Sequence, residues 1–182
     1  MTDQDRTRWD ERYRERPAPS MESVGPPPAF AHFEDVFPTE GHALDLACGP
    51  GVTSVWLARR GLDVWGVDVS TIAIDQAREL AARSDVGDRC RFEVVDLDAG
   101  LPAGPPTDVI VCQRFRDRRL DQAIIDRLAP GGLLAISWLS AVGAEPGRFR
   151  AAPGELTASF ATLETIAADE RQGEAWMLAR KT

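Results

Sequence analysis

Apolar residues recur with two different periods along this 182-residue chain, and the two alternate. Short apolar runs at 42–47, 63–68, 91–95, 108–112 and 133–138 predict strands. The 108–112 run (Asp-Val-Ile-Val-Cys) is apolar almost throughout, as in strands buried on both faces of a parallel sheet. Between the runs, helical spacing predicts helices over 53–60, 72–83 and 117–128. Ser70 or Thr71 is placed to cap the second of these, and Gly61 ends the first. Strands alternating with helices give an α/β fold with a parallel sheet. The tail breaks the alternation. A short helix at 153–160 precedes two strands, 163–169 and 175–179, joined through Arg171-Gln172-Gly173. That is a hairpin, so the expected sheet has seven strands, mostly parallel, with an antiparallel C-terminal pair.

The first 37 residues follow a different pattern. Residues 2–16 are polar and favour helix, with arginines alternating with acids. Trp9 and Tyr13 are four apart and share one helix face. This helix either docks as a solvated amphipath or covers a ligand. Pro17 ends it, and five prolines within 17–28 make a linker or wrapping loop. Residues 29–37 predict a short helix packing Phe30, Phe33 and Phe37, with His32 as a surface residue. The expected division is an N-terminal helical lid and proline-rich linker at 1–37, then one domain at 38–182.

Charge and cysteine content narrow the function. The formal net charge is −8, a poor match for a phosphate backbone, so no nucleic-acid partner is expected. Cys48, Cys90 and Cys112 are odd in number and widely spaced, with no metal-binding pattern; no metal is expected, and reduced, buried thiols fit a cytoplasmic protein. The N-terminus is charged throughout and is not a signal peptide, and no apolar run approaches a membrane span.

The candidate chemistry lies at strand ends. Asp45-Leu46-Ala47-Cys48-Gly49-Pro50-Gly51 reads as strand, glycine turn, helix. Such a turn admits a ligand close to the main chain and faces it with a helix N-terminus. Asp68 ends the second strand and Asp96 the third. In an open parallel sheet, ligands bind at that edge. A carboxylate ending the second strand can accept from a ribose diol and repels a phosphate. Glycine turn and acid together indicate a nucleoside-containing cofactor: a dinucleotide or S-adenosylmethionine. The dinucleotide fingerprint requires a third small residue where this chain has Ser54. Asp45, inside the strand, suits a cationic sulfonium and ammonium better than a pyrophosphate.

These residues resemble a class I S-adenosylmethionine-dependent methyltransferase. The 45–51 stretch is similar to the family's first motif and Val67-Asp68-Val69-Ser70 to its second. Val95-Asp96-Leu97 is similar to the adenine-binding turn, and 108–112 and Leu128-Ala129-Pro130-Gly131-Gly132-Leu133 to the fourth and fifth strands with their turn. The resemblance spans roughly 40–181. Trp9-Asp10-Glu11-Arg12-Tyr13 further resembles the small tellurite-resistance and thiopurine-type enzymes. It implies a Rossmann-like doubly wound sheet, with the main chain from Ala47 through Cys48 and Gly49 to Gly51 facing the cofactor's methionine portion. Asp45 would lie near the amino group, Asp68 would hold the ribose, and Val69 would pack on adenine. Asp96 would accept from the adenine amino group while the Leu97 N–H donates, and Cys112 and Gln113 would lie near the methionyl chain.

The acceptor is less legible. Gln113-Arg114-Phe115-Arg116 lacks the Asp/Asn-Pro-Pro-aromatic motif typical of enzymes that methylate exocyclic or amide nitrogens. Neither His32 nor His42 is placed as a base. Arg114 and Arg116 would hold an anionic acceptor or form a salt-bridged surface; Trp9, Tyr13 and the 139–150 loop would complete the pocket. The expected function is in-line methylation of a small molecule at sulfur, chalcogen or oxygen. Alternatives are a catalytically silent cofactor-binding protein and an NAD-dependent oxidoreductase.

Overall fold

In the computed structural model, which describes residues 3–145, 147 and 149–182, the predicted alternation closes into one seven-stranded sheet. The strands are β1 (His42–Leu46), β2 (Asp63–Asp68), β3 (Cys90–Val94), β4 (Thr107–Gln113), β5 (Leu128–Leu139), β6 (Glu164–Arg171) and β7 (Glu174–Arg180). Their order is β3-β2-β1-β4-β5-β7-β6. The first five are parallel; β7 runs antiparallel to both β5 and β6. Gln172 and Gly173, both at positive φ, make the two-residue turn whose twist matches a hairpin.

The helices are α1 (Asp3–Glu15), α2 (Val52–Arg59), α3 (Thr71–Arg83), α4 (Asp121–Arg127) and α5 (Glu155–Ser159). Alternate residues of the central strands feed two separate cores. Ala43, Val109, Val111 and Ala135 pack with α2 and α3 on one face. Leu44, Leu46, Ile110 and Ile136 pack with Ile124 and Leu156 on the other. Both faces of β1 and β4 are therefore dry, which is why their sequences are nearly continuous in apolar residues. Phe30 and Phe37 from the N-terminal 37 residues lie in the first core, against Trp176 and Trp56.

Three local readings differ from expectation. Residues 28–36 form a kinked 3-10 helix rather than an α-helix. The helix expected over 117–128 is a 3-10 turn at Arg118–Leu120 followed by α4. The chain leaves α4 at Leu128 directly into β5 because Lys181 Nζ takes the carbonyls of Ile125, Asp126 and Leu128, which closes the helix end with a cation. Cys48 and Cys90 are half-buried, and only Cys112 is fully buried; all three are free thiols. Among the described residues, no helix is long and apolar enough to cross a membrane.

Candidate functional site

Strand order reverses between β1 and β4, and the loops leaving their carboxyl ends diverge there to open a crevice. The turn from Ala47 to Gly51 forms one wall. The N–H groups of Cys48, Gly49 and Gly51 are internally satisfied. Cys48 N–H donates to the Val67 carbonyl at 3.0 Å and Gly51 N–H to the Cys48 carbonyl at 3.1 Å. Gly49 N–H donates to Asp68 Oδ2 at 2.9 Å. Pro50 has no N–H. None of these donors faces a ligand, so the turn is not an anion cradle, as its glycine spacing alone would suggest. Gly51 is fixed by crowding: a Cβ there would stand 2.7 Å from Ala77 Cβ, and its φ is +78°. Ala47 holds a left-handed φ of +53° without being glycine, which stores strain in the wall.

Asp68 ties two elements together. Its second oxygen accepts from the Ser70 N–H at 2.9 Å, where Ser70 caps α3. Burial pushes its carboxyl up, against the backbone hydrogen bonds that favour the charge. A carboxylate oxygen can accept more than one hydrogen bond, so the group still has lone pairs to offer the crevice. Asp45 lies behind the turn. Its Oδ2 accepts from Ser54 Oγ at 2.6 Å, and burial pushes its pKa up to about 7.

Helix α1 roofs the crevice. Asp10 Oδ1 accepts from Ser70 Oγ at 2.5 Å and from the Ile72 N–H at 3.2 Å, so α1 is fastened to the start of α3. The Tyr13 hydroxyl lies over Gly49, 2.9 Å from where a Cβ would be. Burial pushes the Tyr13 phenol up, and Asp68 and Cys48 push it further. Trp9 stacks with Tyr13 at 5.9 Å, and Arg12 sits over the Trp9 ring at 5.1 Å.

Two adjoining cavities result. One, of about 250 Å³, brings together Ala47, Asp68, Val69, Leu97 and Gln113 under Trp9 and Tyr13. Arg12, Arg16, Val95 and Phe115 also line it. The spacing of Trp9, Arg12, Tyr13 and Arg16 on one helix face would have indicated the two arginines. Asp45, Cys48, Gly49, Gly51, Asp96 and Cys112 line neither this cavity nor the one beside it. Asp96 accepts from the Asp98 N–H at 2.9 Å, shaping the turn that presents Leu97. Gln113 is held by Ser137 Oγ, which donates to its Oε1 at 3.0 Å.

The second cavity, of about 600 Å³, shares Trp9, Arg12, Arg114 and Phe115 with the first and adds Arg8, Asp98, Arg116, Asp117, Arg119, Leu139 and Phe149. Arg114 ion-pairs with Glu174 at 3.3 Å. Arg116 pairs with Glu155 and lies over Trp138 at 5.6 Å. Arg119 bridges Asp117 and Asp98 at 2.6 and 3.0 Å. Thus Arg114 and Arg116 are both salt-bridged and at the cavity wall, which joins the two sequence readings. Among the described residues, neither histidine lines either cavity; both are exposed elsewhere.

Residues 43–132 match a family model described as a methyltransferase domain. Over 111 residues, covering 56% of this chain, the sequence is 38% identical to the ribosomal RNA small subunit methyltransferase C of Alcanivorax borkumensis. Over 104 residues, covering 53% of this chain, it is 35% identical to the ubiquinone biosynthesis O-methyltransferase of Psychrobacter cryohalolentis. The chain spans only 32% and 40% of these relatives' own lengths. The fold is shared with the crystal structure of TehB from Haemophilus influenzae, with a TM-score of 0.71 at 21% identity, covering 97% of this chain and 67% of that one.

Proposed function

We propose that the methyltransferase domain at residues 43–132 makes this chain a class I S-adenosylmethionine-dependent methyltransferase that acts on a small molecule. The sheet has the Rossmann-like fold of such enzymes. The observation that carries the reading is Asp68. Its carboxylate lines the smaller cavity and at the same time takes the Gly49 N–H, so a carboxylate stands where a pyrophosphate would need free donors. Ser54, at the third fingerprint position, is bonded to Asp45. Both features count against a dinucleotide.

The wall residues fit S-adenosylmethionine. Asp68 would accept from the ribose hydroxyls. Val69, Val95 and Leu97 offer an apolar slot for adenine, and Arg12 and Arg16 offer cations for the amino-acid carboxylate. When bound, that cofactor supplies an electrophilic methyl group on a sulfonium. The protein's work is then alignment and exclusion of water. Asp10 and Tyr13 hold α1 over the crevice, and Trp9, Arg12, Arg114 and Phe115 form the boundary across which the two cavities meet. A cavity of about 600 Å³ in a chain of net charge −8 favours a small acceptor over RNA. The Trp9-to-Tyr13 stretch favours the tellurite-resistance and thiopurine-type subgroup, with a sulfur, chalcogen or oxygen acceptor.

Titration calorimetry with S-adenosylmethionine, S-adenosylhomocysteine and NAD tests the cofactor. The two adenosyl compounds are expected to bind and NAD is not. Binding of NAD alone would overturn the assignment.

A further inference from the structure

Among the described residues, four line both cavities: Trp9, Arg12, Arg114 and Phe115. These side chains bound the passage from one cavity to the other. Two of them are engaged elsewhere. Arg12 stacks on the Trp9 ring, and Arg114 is paired with both carboxylate oxygens of Glu174 through Nε and Nη2. Trp9 and Phe115 supply the apolar rims of the passage. Trp9 comes from the roof helix α1, and Phe115 from the chain as it leaves β4.

Both rims are held in place. Trp9 stacks with Tyr13, and the guanidinium groups of Arg8 and Arg12 lie 5.9 and 5.1 Å from its ring centroid. Phe115 packs against the second core, and its carbonyl accepts from the Cys112 thiol at 3.6 Å. Arg114, the residue before it, turns the chain with a left-handed φ of +54°. A residue other than glycine keeps that conformation only where its surroundings compel it. Here the Arg114 N–H donates to the Ser137 carbonyl at 2.8 Å, and Glu174 holds the side chain. Ala47, which follows β1 on the other side of the switch point, is left-handed as well and lines the smaller cavity. Strain therefore sits at the ends of both strands that flank the crevice. With the turn fixed from two sides and the ring packed on the core, Phe115 is not free to retreat from the passage.

We infer that Phe115 sets the size of the alkyl group this protein accepts on its donor, with Glu174 as its positioning residue through Arg114. The inference rests on the methyltransferase reading, with the donor in the smaller cavity and the acceptor in the larger. Any group carried from one to the other crosses between Trp9 and Phe115. A methyl group is the smallest such alkyl group. A longer one would have to displace a ring that is packed on the core, and added carbons in a packed site cost binding. The passage thus selects the methyl donor over its higher alkyl homologues before an acceptor arrives. Residues that face the adenosine or the amino-acid portion cannot make this selection, because those portions are the same in every homologue.

The test reads binding alone, by calorimetric titration of the full chain. The probes are S-adenosylhomocysteine and two non-reactive analogues of S-adenosylmethionine in which a protonated nitrogen replaces the sulfonium, one carrying methyl and the other benzyl. The wild type should prefer the methyl analogue by about tenfold or more. Phe115→Ala should cut that preference to about threefold or less, and Phe115→Leu should fall between. Neither should change the affinity for S-adenosylhomocysteine, which carries no third group on sulfur. Phe115→Leu keeps the inference open to test if the alanine variant does not fold. Glu174→Gln, at a residue that lines neither cavity, should lower the preference in the same direction. Equal affinity of the wild type for the two analogues, or a preference that survives both Phe115 substitutions, would overturn the inference. A preference unmoved by Glu174→Gln would remove Glu174 from it. Failure of the wild type to bind all three compounds would count against the cofactor assignment instead.

Discussion

Replacing Asp45 with asparagine should flatten the pH dependence of stability. The carboxyl is fully buried behind the glycine turn, with Ser54 Oγ donating to one oxygen at 2.6 Å. Asparagine keeps the volume and a carbonyl oxygen for that bond. Burial is the main cause that raises the pKa from 3.8 to about 7, and nearby Asp68 adds to it. Below 3.8 both folded and unfolded chains hold the proton, and Asp45 costs nothing. Between 3.8 and about 7 the folded state binds more proton than the unfolded state, so stability falls as pH rises. Above about 7 the penalty is complete, on the order of 4 kcal/mol for a shift of about three units. From about pH 5 to about pH 8 the wild type should therefore lose roughly 2–3 kcal/mol through this group, and Asp45→Asn should not. Urea unfolding of both proteins across that range measures the difference. Parallel curves would show that Asp45 is ionised in the fold near neutral pH, and would refute the argument from burial.

Three further substitutions probe the same region. Gly51→Ala forces a Cβ to 2.7 Å from Ala77 Cβ and 3.2 Å from Phe92, at a φ of +78°. It should cost about 2–4 kcal/mol by urea unfolding, and an unchanged midpoint would mean the turn is looser than its packing implies. Asp10→Ala frees α1 from Ser70 and Ile72, while Ser70 still caps α3 through the Ala73 N–H. The expected result is a loss of about 1–2 kcal/mol, faster proteolysis within the first twenty residues and weaker S-adenosylmethionine binding, with resistance of that segment as the contrary outcome. Ala47→Gly relieves a left-handed alanine but loosens the unfolded chain, so the two effects nearly offset. Stability should move by less than about 1 kcal/mol, and a large loss would show that the Ala47 methyl is a packing contact.

The strand ends were legible because burial imposes a pattern on sequence. Asp45 and Asp68 interrupt apolar runs, and a carboxylate in such a place has a structural or chemical reason to be there. The direction of each group was not legible. Asp45 and Asp68 end up on different sides of one turn, the first bonded to Ser54 and the second to the Gly49 N–H. Spacing in the chain fixes which residues are near the turn, but only the path of the backbone decides which side chain faces the cavity. The same holds for Arg116. Its neighbours in sequence suggest a cationic cluster, but its partner Glu155 is 39 residues away and arrives only when α5 packs on the sheet.

The sequence alone determined the alternation of elements, the C-terminal hairpin, the glycine turn and the acids at the strand ends, because hydrophobic period and turn chemistry are local properties. Tertiary structure decided what those pieces enclose. Asp10 fastens α1 to residues 60 and 62 positions away, which turns a charged helix into a roof with Trp9, Arg12 and Tyr13 on its inner face and Arg16 just past its end. The N–H groups of Cys48, Gly49 and Gly51 are occupied by Val67, Asp68 and Cys48, which changes a motif that reads as an anion site into one wall of a crevice whose acid is Asp68. Both outcomes depend on contacts between segments far apart in the chain, and no local pattern encodes the distance between them.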